Sequence, residues 1–230
     1  MKTIGLIGGM SWESSLEYYR HINETVKAQL GGLHSAKCIL YSVDFEEIER
    51  YQAQGEWDKA AYILKEAAES LEKGGADFLL LCTNTMHKVF EDISGSVNIP
   101  FLHIADAAAS KIRNEGVDTV GLLGTRYTME QDFYRNRMLV NGVNVIVPGR
   151  EDRERINAII FEELCIGEIK DSSRDFFQKV MKELNRNGAE GIVLGCTEIG
   201  LLIKGDEWEI PIYDTAAIHA EAAVKKALQD

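Results

Sequence analysis

The sequence predicts an α/β fold made of two similar doubly wound domains with parallel sheets, and two observations support this prediction. Short apolar runs alternate with amphipathic helical stretches along the whole chain, which is typical of βαβ units. In addition, residues 75–85 align without a gap with residues 188–198 when Gly75 is placed on Gly188. The chain therefore contains one structural unit twice.

Two further pairs of segments repeat in the same order. Residues 3–8 match residues 119–124, and residues 98–100 match residues 209–211. Three collinear matches indicate an internal duplication, and its period is far too long for a solenoid repeat. The chain has only three prolines and no low-complexity tract that could form a linker, so we expect the two domains to pack closely.

In the first copy, strands are expected at residues 3–7, 36–43, 77–82 and 99–103, with helices at 12–30, up to 52, 56–72, up to about 92, and 105–114. Ser11 can cap the first long helix, and Gly31-Gly32 can end it. A stripe of apolar residues at helical spacing is expected to face the core: Leu16, Tyr19, Ile22, Val26 and Leu30.

The second copy repeats this alternation. Its strands are expected at residues 117–124, 143–147, 191–195 and 210–213, and its helices at 128–141, 152–166, 172–187 and 215–228. Open α/β sheets bind ligands outside the carboxyl ends of their strands. The residues that directly follow the strands are therefore the candidates for function.

Composition excludes several classes of partner. The chain has 37 acidic and 25 basic residues and a formal charge of -12, which argues against nucleic acid, and no basic run suggests an anionic membrane. The apolar run at residues 4–7 is too short for a signal sequence or a membrane span, so a cytoplasmic location is expected.

The cysteine and glycine patterns do not predict a cofactor. Cys38, Cys82, Cys165 and Cys196 form no C-x-x-C pair, and no cluster has convincing spacing for a metal. Cys38 and Cys165 lie among apolar residues and are expected to belong to the core. Glycines 8 and 9 follow a strand but do not form the G-x-G-x-x-G pattern of dinucleotide sites.

Each copy of the repeat ends its strand in a similar polar segment. Thr83-Asn84-Thr85 follows one strand, and Cys196-Thr197-Glu198 follows the other. If the two edges face each other, one acid/base group approaches a bound molecule from each side, as the inversion of a stereocentre requires. A thiol, with an ordinary pKa of about 8.5, can be tuned for this role.

The ungapped alignment places Thr83 opposite Cys196 and places Cys82 opposite Gly195. Neighbouring residues of a strand point to opposite faces, so Cys82 is expected to face away from the site. His87 and His103 remain alternative acid/base groups, although half-buried histidines with structural roles are more common.

These segments carry a resemblance to the aspartate/glutamate/hydantoin racemase superfamily, which covers the whole chain. The matching segments are Gly195 to Glu198, Asn84-Thr85, Gly8-Gly9-Met10 and Gly124 to Thr128. The resemblance implies racemisation of an amino acid, such as aspartate or glutamate, without pyridoxal phosphate or metal. It also implies a homodimer whose cleft lies between domains at residues 1–98 plus 210–230 and 99–209.

The resemblance implies a role for each matching residue. Cys196 is one catalytic base, and Asn84, Thr85 and Thr197 bind the amino and α-carboxylate groups of the substrate. The repeat alignment, not the resemblance, makes Thr83 the weaker counterpart of Cys196. The other residues that the resemblance places at the substrate are Met10, Gln52, Thr125, Thr128 and Glu198.

The chain departs from the family pattern at two places. Family members read Cys-Asn-Thr where this chain reads Thr83-Asn84-Thr85, and the basic residue that they often carry near 164–168 is missing. The second departure weakens the case for an acidic substrate. Another thiol enzyme of the superfamily, such as a maleate isomerase or a decarboxylase, and a non-catalytic binding module are the alternatives.

Overall fold

The computed structural model describes residues 1–203 and 208–229. Residues 204–207 and 230, which the predicted domains also include, lie outside the described residues. The chain divides into two compact units. The first unit comprises Met1–Ile104 and the C-terminal segment from His219, and the second unit comprises Ala105–Ile218.

The first unit contains a four-stranded parallel sheet with the strand order β2-β1-β3-β4. Its strands are β1 (Ile4–Gly8), β2 (Cys38–Ser42), β3 (Phe78–Leu81) and β4 (Phe101–Leu102). The two inner strands are apolar and buried along their whole length, as expected for a sheet that is covered on both faces. The helices begin with α1 (Trp12–Leu30), α2 (Phe45–Gln54), α3 (Trp57–Lys73), a 3₁₀ helix (Thr85–Val89) and α4 (Phe90–Ser94).

The second unit contains the same kind of sheet, with the strand order β6-β5-β7-β8 and parallel pairing throughout. Its strands are β5 (Thr119–Gly124), β6 (Asn144–Ile146), β7 (Gly191–Gly195) and β8 (Ile212–Asp214). The remaining helices are α5 (Ile104–Asn114), α6 (Arg126–Glu130), α7 (Asp132–Val140), α8 (Arg150–Glu162), a 3₁₀ helix (Leu164–Ile166), α9 (Asp171–Arg186), α10 (Ile199–Leu202) and α11 (Thr215–Leu228).

The two sheets confirm the predicted fold class and the internal duplication. Strand β3 lies third in the first sheet and β7 lies third in the second, so the repeated segments occupy equivalent positions. Each unit also has its own cluster of buried apolar side chains. The polar segments that follow β3 and β7 therefore start from equivalent sheet edges.

The predicted domain boundaries differ from this division. The sequence places residues 99–103 in the second domain and residues 210–213 in the first. In the structure, β4 pairs with β3, and β8 pairs with β7. Each sheet therefore takes its fourth strand from the segment that follows its third, and the units divide within α5 and α11.

Helix α1 begins and ends where the sequence predicts, but part of the predicted inward stripe was wrong. Ile22 and Val26 are buried, whereas Leu16, Tyr19 and Leu30 are exposed. The buried face instead begins with small and polar side chains, at Ser14, Ser15 and Tyr18. A Cβ at Gly8 would lie only 2.6 Å from Ser15 Oγ, so the helix comes too close to β1 for larger side chains.

Two predicted helices are interrupted. The helix expected at 128–141 forms as α6 and α7, because Gln131 has an extended backbone with ψ at 151°. The helix expected at 152–166 begins earlier, as α8, and ends at Glu162, after which Leu164–Ile166 forms a 3₁₀ turn. Neither interruption contains the proline or glycine that would have signalled it.

Candidate active site

The site in the second unit begins at the end of β7. Gly124 and Gly195 are paired across β5 and β7, and a Cβ on Gly195 would lie 2.6 Å from Leu122 Cδ1 and 3.0 Å from Leu123 O. Only glycine allows this close approach of the two strands. The tight pairing places Cys196 directly beyond the carboxyl end of the sheet.

Cys196 and Glu198 form a buried hydrogen-bonded pair. The thiol donates a hydrogen bond to Glu198 Oε2 over 2.9 Å, and the Thr197 hydroxyl donates to the same oxygen over 2.9 Å. Cys196 is 7% exposed and Glu198 is 2% exposed. A buried thiol therefore has a carboxylate positioned as an acceptor for its proton.

The electrostatic surroundings of Cys196 correct one expectation. The sequence-based hypothesis requires a thiol pKa near the working pH, but burial first, and then the negative charge of Glu198, raise the pKa of Cys196 well above its usual value. The isolated thiol is therefore a weak acid. The carboxylate of Glu198, 2.9 Å from the sulfur, is the acceptor in the hydrogen bond of this thiol.

Thr125 and Thr128 lie at the same edge of the second sheet, because β5 is the neighbour of β7. Thr125 caps α6 by accepting a hydrogen bond from the Thr128 backbone N–H over 3.3 Å, and the two hydroxyls lie 3.2 Å apart. Both residues are buried. Since Thr128 also packs beside Gly195, this pair shares the surroundings of Cys196.

In the first unit, the corresponding edge begins after β3. The Cys82 backbone N–H still donates to Ile7 O over 2.9 Å, so the chain leaves the sheet at Thr83. Thr83, Asn84 and Thr85 are all buried, and His87 lies four residues beyond Thr83, with Nδ1 2.8 Å from Thr83 O. Among the described residues, the Thr83 hydroxyl forms no hydrogen bond comparable to that of Cys196 with Glu198.

Cys82 differs from Cys196 in its surroundings. Its side chain is completely buried, and the polar atom recorded near its sulfur is Leu80 O at 4.0 Å. Burial alone raises the pKa of the Cys82 thiol. Within the described part of the chain, no carboxylate accepts a hydrogen bond from this thiol as Glu198 does from Cys196.

The remaining predicted residues of the first unit lie next to the Thr83 loop or β1. Gln52 is buried, and its amide donates a hydrogen bond to Met86 Sδ over 3.0 Å. Met10 is buried within the apolar cluster of the first unit. Gln52 is therefore hydrogen-bonded to the 3₁₀ helix that follows Thr83, and Met10, which follows β1, packs in the apolar cluster.

One buried histidine, His219, was not a candidate in the sequence. Its Nε2–H donates to Leu102 O over 2.9 Å, and its Nδ1 accepts a hydrogen bond from Tyr18 over 2.9 Å. Burial lowers the pKa of His219 to about 3. Its position within the helix predicted at 215–228 offered no signal, because its hydrogen-bond partners are distant in sequence.

The described residues contain no group of three or more His, Cys, Asp or Glu side chains arranged to hold a metal ion. Within the same part of the chain, no helix combines the length and apolar character that a membrane crossing requires.

Comparison with known families identifies the fold. A family model described as Asp/Glu/Hydantoin racemase matches residues 7–223. The chain belongs to this family. The match includes residues of both units and confirms the resemblance of the chain to this family.

Individual relatives agree with this assignment. A crystal structure of a proposed Asp/Glu racemase from Yersinia pestis is 57% identical, covers 100% of both chains and has a TM-score of 0.92. An aspartate racemase homologue from Pyrococcus horikoshii OT3 is 37% identical over 100% of both chains, with a TM-score of 0.87. The broad specificity amino-acid racemase RacX of Bacillus subtilis is 27% identical over 74% of each chain. Together, the family and these relatives support amino-acid racemase activity.

Proposed function

We propose that this family member inverts the Cα of aspartate or glutamate without a cofactor, by proton transfer to and from Cys196 and Thr83. The observation that carries the proposal is the buried hydrogen bond from Cys196 Sγ to Glu198 Oε2, because it gives the thiol proton an acceptor. Thr83 is the second group because the duplication aligns it with Cys196 at the equivalent strand end.

On the Cys196 side, Glu198 takes the thiol proton and leaves a thiolate, so the single negative charge of the pair is conserved. The thiolate then removes the α-hydrogen as a proton, and the electron pair of the Cα–H bond stays on Cα. The sequence predicts Glu198 as a substrate-binding residue. We assign it to the thiol instead, because Cys196 and Thr197 both donate to its Oε2.

On the opposite face of the substrate, the Thr83 hydroxyl donates a proton to Cα and is left as an alkoxide. The alkoxide recovers a proton from water, and the Cys196–Glu198 pair releases one to water, so the cycle closes without a net change. A hydroxyl is a far weaker acid than a thiol. The step at Thr83 is therefore the slow one.

The substrate-binding roles follow the family resemblance. We propose that Asn84, Thr85 and Thr197 bind the amino and α-carboxylate groups, and that Thr125, Thr128, Met10 and Gln52 surround the substrate. All of these side chains are buried at or beside the carboxyl ends of β1, β3, β5 or β7, or on α2. Buried hydroxyl and amide groups are suited to bind a zwitterion in a site from which water is excluded.

The proposed acidic side chain of the substrate rests on the relatives that are named for aspartate and glutamate. Residues 164–168 contain no basic residue, and the nearby Lys170 is paired with Glu163 and Glu168. RacX is named for broad specificity. A panel of enantiopure amino acids in deuterated buffer, followed by proton NMR, tests activity and substrate together. The proposed function would be contradicted if every amino acid in the panel kept its Cα proton signal.

We further propose a cytoplasmic homodimer, as the resemblance implies, that forms through α1 of the first unit. Trp12 is 65% exposed, Leu16 is 54% exposed, and Tyr19 follows them on the same helix face. Leu40 and Tyr41, also exposed, lie on the edge strand β2. Exposed apolar groups of this size are typical of surfaces that are covered in an assembly.

Light scattering after gel filtration tests the dimer. Leu16→Lys is expected to give a monomer, whereas Tyr62→Lys, at an exposed aromatic residue on α3, is expected to leave the dimer intact. A wild-type monomer, or equal effects of the two substitutions, would contradict the proposed interface.

A further inference from the structure

Three buried histidines lie together in the first unit, beside the loop that follows β3. The ring of His87 is stacked on Phe90, with centroids 5.5 Å apart and planes at 7°, and lies 4.3 Å from the ring of His103 and 6.4 Å from that of His219. His87 is only 3% exposed. Its ring is therefore held on several sides by other side chains.

Both ring nitrogens of His87 contact backbone groups. Nε2 accepts a hydrogen bond from the Ile104 backbone N–H over 3.3 Å, and Nδ1 lies 2.8 Å from Thr83 O. A backbone N–H can only donate, so Nε2 carries no proton. The proton of the neutral ring is therefore on Nδ1, which donates it to the carbonyl of Thr83.

The Thr83 carbonyl needs this donor because the local backbone does not supply one. In a regular α-turn, the His87 N–H would bond to Thr83 O, but it donates to Asn84 O over 3.1 Å. In the second unit, by contrast, the Cys196 carbonyl accepts from the Ile199 backbone N–H over 3.1 Å. The side chain of His87 thus replaces a backbone donor in one of the two repeats.

The repeat alignment shows that this arrangement occurs once. Gly200 stands opposite His87, and it has no side chain that could reach the Cys196 carbonyl. A side chain could not be added there without a clash, because a Cβ on Gly200 would lie 2.4 Å from Asp214 Oδ2. This hydrogen-bonded histidine therefore occurs only in the repeat that contains Thr83.

We infer that His87 is a positioning residue that fixes the Thr83 backbone and with it the direction of the hydroxyl, and that His87 is not itself an acid or a base in the reaction. The inference rests on the proposed role of Thr83 in proton transfer. By joining Thr83 O to the Ile104 N–H, His87 connects the segments that follow β3 and β4. Neither nitrogen has a free position for the substrate.

Two substitutions separate the two hydrogen bonds. In His87→Asn, the amide nitrogen takes roughly the place of Nδ1 and can still donate to Thr83 O. In His87→Gln, the longer side chain reaches the place of Nε2 and can accept from Ile104 N–H, but it leaves the Thr83 carbonyl without a donor. We expect inversion to fall about tenfold to a hundredfold in His87→Gln, as for a small misplacement of a reacting group, and no more than about threefold in His87→Asn.

Hydrogen exchange at Cα distinguishes positioning from a structural role. Exchange of the L enantiomer proceeds through Cys196, so in His87→Gln it should remain at the wild-type rate while inversion falls. His21→Gln, on the half-buried flank of α1, is the matched control and should change neither rate. Equal loss of exchange and inversion in His87→Gln, or unchanged inversion, would overturn the inference.

Two further measurements keep the inference testable. If the variants fail to fold, nitrogen NMR of wild-type protein reports the His87 tautomer directly, and a proton on Nε2 would overturn the inference. Thr83→Val tests the proposed function separately. If that variant inverts its substrate at the wild-type rate, Thr83 is not a proton-transfer group, whatever the His87 variants show.

Discussion

The loops after β7 and β3 follow equivalent strands of the duplication but form different hydrogen bonds. After β7, the side chain of Cys196 donates to Glu198, and its carbonyl is held by a backbone N–H. After β3, the carbonyl of Thr83 accepts a hydrogen bond from His87, and among the described residues no carboxylate accepts a hydrogen bond from its hydroxyl. The duplicated strands place the two residues at equivalent positions, whereas the surrounding side chains give Cys196 a carboxylate partner and Thr83 a histidine bonded to its carbonyl.

The comparison also separates two thiols. Cys82 and Gly195 are equivalent in the repeat, one residue before Thr83 and Cys196. Gly195 is required for close strand approach, while the Cys82 side chain is completely buried. Two cysteines near equivalent strand ends therefore have different surroundings, and of the two only Cys196 donates a hydrogen bond to a carboxylate among the described residues.

Among the substitutions in these two loops, replacement of the Cys196 thiol should have the largest effect on the rates of Cα exchange and inversion. We expect Cys196→Ser to lower Cα exchange and inversion at least about a thousandfold, because the serine hydroxyl has a much higher pKa than a thiol. Substrate binding, measured by calorimetry, should persist. Cys38→Ser, on β2 of the other unit, is the control and should stay active. Full activity in Cys196→Ser would exclude Cys196 as a proton-transfer group.

Removing the carboxylate should have the next largest effect. Glu198→Gln eliminates the proton acceptor, so we expect inversion at pH 7 to fall by about a hundredfold. The negative charge of Glu198 raises the pKa of Cys196, so the substitution lowers that pKa, although burial still keeps it above its usual value. In Glu198→Gln, the Cys196 thiolate then forms only as the pH approaches the pKa of the thiol.

The pH profile checks this role of Glu198. The rate of Glu198→Gln should rise steeply with pH above 7, whereas the wild-type rate should change less over the same range. A variant with wild-type activity at pH 7, or with no increase at higher pH, would show that Glu198 does not accept the thiol proton.

Making the two loops alike should have a moderate effect. In the wild type, the L enantiomer is expected to exchange its α-hydrogen through Cys196 faster than it inverts, while the D enantiomer exchanges no faster than it inverts. Thr83→Cys should raise racemisation about tenfold and equalise the two exchange rates, since a thiol is the stronger acid. Proton NMR in deuterated buffer measures both rates.

Equal exchange of both enantiomers by wild-type protein would contradict the assignment of Thr83 as the weaker group. Catalytic efficiencies cannot serve as the test, because enantiomers have equal free energies and the efficiencies must match in both directions.

The smallest effect is expected at Cys82. Cys82→Ala should leave racemisation nearly unchanged and cost about 1 kcal/mol of stability from the lost packing of the sulfur. Thermal unfolding should then show a decrease of about 2–4 °C. A large loss of activity with an intact fold would mean that the repeat alignment is displaced by one residue.

The sequence predicted the ends of some elements more accurately than the faces on which they pack. Helix α1 was predicted with its observed ends, because a serine cap and two glycines mark them locally. Its inward face was predicted poorly at Leu16 and Tyr19, since hydrophobic spacing cannot show how closely a helix approaches the sheet. The close contact between Gly8 and Ser15 decides which face is buried.

The candidate site also has features that the sequence predicts and features that it does not. The strand-end position of Cys196, and the alignment of Thr83 with it, can be predicted from the repeat. The raised pKa of Cys196 could not be predicted, because it depends on burial of the thiol and on the direction of the Glu198 side chain. The contacts of His87 and His219 likewise join segments that are distant in sequence.

The sequence by itself determined the duplicated α/β architecture and the two polar segments at equivalent strand ends, because strand periodicity, turn residues and internal repeats are local properties of the chain. Only the tertiary structure decided that β4 and β8 complete the sheets of the strands they follow, that the Cys196 proton has an acceptor, and that His87 holds the Thr83 carbonyl. Those features depend on strand pairing, burial and side-chain direction, which arise only when distant segments pack together.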